Sequence, residues 1–161
     1  MNAIFARRLL SIALLFLCLQ PHAAEPLIVR TAISPESDVW VGQQVRLQLD
    51  LLALDAWAES SRLPHFEVDG AYLLRVESQG ARLSETLEGR SYSGQRYEWL
   101  LYPQRAGKIR ISPAQLEARV KNFGAEGAAE VVSRATPELS FTARLPAGAE
   151  HLQGGWSRLQ R

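Results

Sequence analysis

The side chains able to do chemistry are few and widely scattered. After residue 24 the chain holds two histidines, His65 and His151, and no thiol, since Cys18 is its single cysteine. His65 precedes a strand and His151 lies near the carboxy terminus, and surface histidine is the expected role of both. No HExxH pattern pairs metal ligands, and Ser93-Gly94 lacks the strand-to-helix setting of a nucleophile elbow. Gly124 and Gly127 neither follow a strong strand nor open a helix, so they do not read as a phosphate loop. Asp38, Asp50, Asp55 and Asp69 are the carboxylates from which a general acid–base pair would be drawn, but nothing in their spacing makes two converge. Asp50 alternates with apolar residues and is expected on the outer, solvated face of its strand. Glu36 and Asp38 offer two carboxylates to a calcium ion that wants about six to eight oxygens. No cofactor and no metal is expected.

Aromatic and guanidinium groups are better candidates for binding. Trp40, Trp57 and Trp156 stand near loops or outside the main alternation, where an indole wants either a sheet end or a partner to cover it. Gln104 and Arg105 occupy the tip of a turn, placed to dock on a partner or to hold loop carbonyls. Trp40, Trp57, Gln104 and Arg105 are therefore the candidate partner-binding residues.

The elements that must position these groups are strands. Val45, Leu47, Leu49 and Leu51 alternate with Arg46, Gln48 and Asp50, the period-two pattern of a half-buried strand. Tyr97, Trp99 and Leu101 share one face of the next clear strand, with Arg96 and Glu98 on the other. Pro103-Gln104-Arg105-Ala106-Gly107 breaks that strand, and Ile109 and Ile111 alternate with Lys108 and Arg110 beyond it. The spacing predicts one β-hairpin over residues 92–113, with Ile109 and Ile111 facing the aromatics of its first arm. Residues 55–59 predict a helical turn capped by Asp55. Leu83 and Leu87, then Leu116, Ala118 and Val120, then Leu139, Phe141, Ala143 and Leu145 mark further inward-facing sets. About nine short strands at spacings of about 8–12 residues, with no long helix, predict an all-β sandwich.

Residues 1–24 have the pattern of a signal peptide, with Arg7 and Arg8 before an apolar run over residues 9–19 and a small-residue exit. That run is shorter than the roughly 20 residues a spanning helix needs. Leu17, not a small residue, precedes Cys18, which disfavours lipid attachment. Residues 25–145 would form the sandwich domain, and residues 146–161, with no periodicity, a flexible tail. Of the 18 basic residues two lie in the leader, so 16 face 17 acidic ones, a net of −1. With no basic run to track a phosphate backbone, nucleic acid is excluded as a partner.

Val41-Gly42-Gln43-Gln44-Val45-Arg46-Leu47, Tyr92 with Gly94-Gln95-Arg96-Tyr97, and the run from Leu101 through Arg105 and Gly107 to Pro113 resemble the amino-terminal domain of the BatD family. These are the oxygen-tolerance proteins of the aerotolerance operon type. The resemblance implies an immunoglobulin-like β-sandwich exported to the periplasm, with association with the inner membrane left open. It implies protein partners: von Willebrand factor A domain proteins and, indirectly, a MoxR-type AAA+ ATPase. It supplies no catalytic residues. BatD-like proteins continue through further β domains to a transmembrane helix, and residues 145–149 with Trp156 read as the start of a link to such a domain. The expected function is a non-catalytic interaction module of a cell-envelope complex concerned with oxidative or envelope stress. A carbohydrate- or peptide-binding sandwich using Trp40 or Trp57, and a hydrolase, are the alternatives.

Overall fold

The fold is arranged along one long strand. A computed structural model describes residues 25–76, 80–123 and 129–149. Its strands are β1 (Leu27–Ser34), β2 (Val39–Trp40), β3 (Val45–Leu54), β4 (Ala56–Arg62), β5 (Val68–Asp69) and β6 (Ala71–Arg75). They continue with β7 (Ala81–Leu87), β8 (Arg90–Pro103), β9 (Gly107–Ile111), β10 (Gln115–Asn122), β11 (Glu130–Ala135) and β12 (Leu139–Arg144). The all-β expectation is met, and no helix is present among the described residues. Twelve strands form where about nine were expected, with β4 and β5 arising in residues 56–69, where none was expected.

The 14 residues of β8 are paired along both edges. On one side β3 runs antiparallel to it, from Val45 opposite Leu101 to Leu54 opposite Tyr92. β7 and then β6 run antiparallel on the other side, with Leu87 opposite Arg90 and Ala71 opposite Pro103. The tight hairpin of the chain is therefore β7–β8. Its two turn residues, Glu88 and Gly89, have φ of 50° and 76°, the left-handed pair that a two-residue turn needs to match strand twist. β1 lies outside β3, and β4, β10 and β11 extend the same sheet. A second sheet, in the order β2-β12-β9-β5, faces it.

This pairing corrects the hairpin expected over residues 92–113. β9 does not return along β8, because both edges of β8 are occupied; it crosses into the second sheet and pairs with β12 and β5. The facing of side chains survives the change. Ile109 and Ile111 are fully buried in the same core as Trp99 and Leu101, but reach them across the sandwich. Val45, Leu47, Leu49 and Leu51 are likewise fully buried. Each contributes roughly 1.5–3 kcal/mol of transfer free energy before chain entropy is set against it. Phe66 packs edge-on against Trp99 at 5.0 Å between centroids, closing the core from the loop before β5.

The helical turn expected over residues 55–59 is also corrected. Asp55 takes a φ of 47° and bends the chain into β4, where Ala56 and Ala58 are buried while Trp57 and Glu59 are not. Small apolar residues alternating with large ones are a strand pattern, and pairing with β10 decides it. Gly94 lies where β8 presses on its neighbours: a side chain there would collide with the carbonyl of Leu51 and crowd that of Ala58.

Candidate functional site

Three turns converge where β8 passes into β9. Gly42, between β2 and β3, donates its N–H to the Pro103 carbonyl at 2.8 Å. The Gln104 N–H reaches the carbonyl of Gly70, between β5 and β6, at 2.9 Å. Gly42 and Gly70 have φ of 81° and 82°, a conformation that L side chains rarely adopt. The Gln104 side-chain amide donates to the Tyr102 carbonyl at 2.9 Å, and the Tyr102 hydroxyl donates to Gln44 Oε1 at 3.0 Å. Gln43 Oε1 accepts the Trp40 N–H at 2.9 Å.

Arg105 crowns this corner. Its guanidinium end packs against Gly70, in the space a Cβ there would take, and donates to Asp69 Oδ2 at 2.8 Å. Both groups stay open to water, with 45% of the Arg105 side chain and 84% of the Asp69 side chain exposed. Asp69, Arg105, Lys108, Arg110 and Ser112 line a shallow depression of about 380 Å³. Arg110 pairs with Glu138 at 3.4 Å, and among the described residues Lys108 has no carboxylate partner. The corner thus presents a braced guanidinium and an ammonium on the rim of one depression, while the half-exposed indole of Trp40 stands on β2, beyond β12.

Of the four candidate residues, Trp40, Gln104 and Arg105 belong to this end of the sandwich, and Trp57 does not. Trp57 lies beside Ser93 at the opposite end of β8. It is half-buried, with the Arg82 guanidinium 5.9 Å above its ring and its indole N–H 3.4 Å from Glu59 Oε2. That arrangement holds β4 and β7 together and leaves Trp57 a poor stacking platform. The Lys121 ammonium, 3.1 Å away, holds the Glu59 carboxyl below its ordinary range.

The aspartates do not gather. Asp38 pairs with Arg144 at 3.1 Å, Asp69 with Arg105, and Asp55 sits in the bend before β4. Asp50 corrects the expectation of a solvated charge: it is 3% exposed. It does point to the outer face, but Arg30 and Arg96 flank it on the neighbouring strands and cover it. Arg96 donates to its two oxygens at 2.6 and 2.9 Å, and Arg30 reaches Oδ2 at 2.8 Å. Glu85 of β7 accepts from the far side of Arg30 at 2.6 and 3.2 Å, clasping the curled sheet. Burial pushes the Asp50 carboxyl up, and the bonds from Arg96 and Arg30 outweigh it and hold it below the usual carboxylate range. Arg30, Asp50 and Arg96 each sat at an alternating polar position in the sequence; only the register aligns them.

His65 borders a second depression of about 280 Å³ that includes one acid, Glu117. Among the described residues no three His, Cys, Asp or Glu side chains come together as metal ligands, and no helix is long and apolar enough to cross a membrane. His151, Trp156, Gly124 and Gly127 lie outside the described residues, as do the leader and most of the expected tail. Ser93 Oγ lies 3.4 Å from Ser84 Oγ.

The arrangement is that of a β-sandwich-like domain offering an accessible corner. Residues 32–134 match the family model described as the BatD DUF11-like domain, and the chain belongs to the BatD family. No curated protein and no solved structure matches it.

Proposed function

We propose that the chain is a non-catalytic interaction module of the cell envelope that binds a protein partner through the β8–β9 corner. The observation that carries this reading is the support given to Arg105. Its guanidinium packs over Gly70 and donates to Asp69, and backbone bonds to two other turns fix Pro103 and Gln104 just before it, while the side chain stays open to water. Holding a long side chain in advance lowers the entropy lost on binding, which is why braced arginines favour interfaces. Lys108, on the rim of the same depression and without an ion-pair partner among the described residues, adds a second cation, so the surface suits an acidic protein face. Family membership supports a periplasmic setting, with von Willebrand factor A domain proteins as partners and a MoxR-type ATPase indirectly attached. The complex would serve tolerance of oxidative or envelope stress.

The test is crosslinking of the chain in its own envelope followed by pull-down with von Willebrand factor A domain proteins. Arg105→Ala is expected to weaken capture at least about tenfold, the cost of losing one interface anchor of about 1.4 kcal/mol or more. Capture that is unaffected by the substitution, or no envelope partner at all, refutes the reading.

A further inference from the structure

The outer edge of β6 has a different character from the corner. β6 pairs with β8 alone, on one side. Two flanking bonds set the phase of that pairing: the Val76 N–H donates to the Glu98 carbonyl at 3.2 Å, and the Gln104 N–H to the Gly70 carbonyl at 2.9 Å. They bracket Arg75 opposite Trp99 and Ala71 opposite Pro103, making both non-hydrogen-bonded pairs of the ladder. The N–H and C=O groups of Ala71, Leu73 and Arg75 therefore point away from β8, and no other strand among the described residues receives them. Tyr72 and Leu74, 67% and 55% exposed, stand together on the outward face beside Tyr102 and Leu100 of β8.

Other edges are short or charged: β2 and β5 are two residues long, β11 carries Glu130 and Arg134, β7 carries Arg82 and Glu85, and β1 carries Arg30. Short length and charge are the usual defences of an edge, and the first four residues of β6 have neither.

We propose that β6 pairs with β6 of a second copy, antiparallel about a two-fold axis through Leu73. The sequence Ala-Tyr-Leu-Leu-Arg is complementary to itself in this register. Leu73 then meets the partner's Leu73 as a hydrogen-bonded pair, and Ala71 meets the partner's Arg75, so every outward main-chain group is bonded and no like charges oppose. Tyr72 meets the partner's Leu74 at a non-hydrogen-bonded position, where side chains come closest. Two exposed apolar residues on each copy are covered at once, which a foreign strand would achieve only with a matching apolar pair. The contact is small, so the dimer is weak and concentration-dependent.

Analytical ultracentrifugation of the full chain is expected to show a reversible monomer–dimer equilibrium. Tyr72→Lys with Leu74→Lys, both at exposed positions, sets like charges opposite each other. It is expected to raise the dimer dissociation constant at least about tenfold, with thermal unfolding unchanged. In a Cys18→Ser background, Leu73→Cys places two thiols on the axis with Cα atoms about 5.5 Å apart, within disulfide reach, and is expected to oxidise to a covalent dimer. Val131→Cys, exposed on the β11 edge, is expected to crosslink far less. A chain that stays monomeric at its highest soluble concentration, leaving the edge to a foreign strand, overturns the proposal. So does a dimer that the two lysines do not weaken. Neither result bears on Arg105, which lies beyond the paired edge.

Discussion

Two arginine–aspartate pairs in this molecule have the same 2.8 Å separation and opposite surroundings. Asp50 keeps 5% of its side chain in water, bonded to arginines from the strands on either side, whereas Asp69 keeps 84% and holds one arginine across a turn. A carboxylate taken out of water must have its charge met by neighbours, and removing a neighbour leaves it stranded. A carboxylate in water is hydrated either way, so its ion pair adds little to folding. Distance alone says nothing about which pair holds the fold and which is available to a partner.

The largest effect is expected from Asp50→Ala. It strips two guanidinium groups of their shared acceptor and should lower stability by roughly 2–3 kcal/mol in urea unfolding, less than for a fully buried pair because both arginines retain some water. Acid is expected to act on the same group more gently. The folded state holds the Asp50 carboxyl below its unfolded value, so its contribution is complete above about pH 4. That contribution is lost as pH falls from there through the folded value, because protonation then opposes folding. Asp50→Asn should flatten that part of the stability–pH profile, and an unchanged profile would show that other carboxylates govern it. The smallest effect is expected from Asp69→Ala, within about 0.5 kcal/mol of the parent in the same urea experiment. If Asp69→Ala destabilised as much as Asp50→Ala, the contrast between the two pairs would fail.

The difference between them was only partly legible in the sequence. Alternation placed Val45, Leu47, Leu49, Leu51, Trp99, Leu101, Ile109 and Ile111 inside, and the structure buries all of them. What alternation reports is the face of a strand, not the strand beside it. Trp99 and Ile109 look the same to that pattern whether they lie in one hairpin or in two opposed sheets. The turn at residues 103–107 carries good hairpin residues, and only the occupation of both β8 edges diverts β9 across the core. Asp50 failed for the same reason. An outward position in an alternating strand implies exposure, yet Arg30 and Arg96, 20 and 46 residues away in sequence, become neighbours of Asp50 through pairing and cover it. Ala56 and Ala58 misled through their size, since alanine suits helix and strand packing alike. Arg105 was identified from its place at a turn tip; its support by Asp69 and Gly70 required the meeting of three turns.

The double engagement of β8 also fixes an order in time. Synthesis releases the amino end first, so β1 and β3 emerge well before the strand that completes their sheet. β7 and β8 can close quickly around Glu88 and Gly89, a local event, while the match of Val45 to Leu101 waits for more than half the chain. Until then the free side of β3 is an open template for the wrong strand, and the molecule is at its most vulnerable before Pro103 is in place.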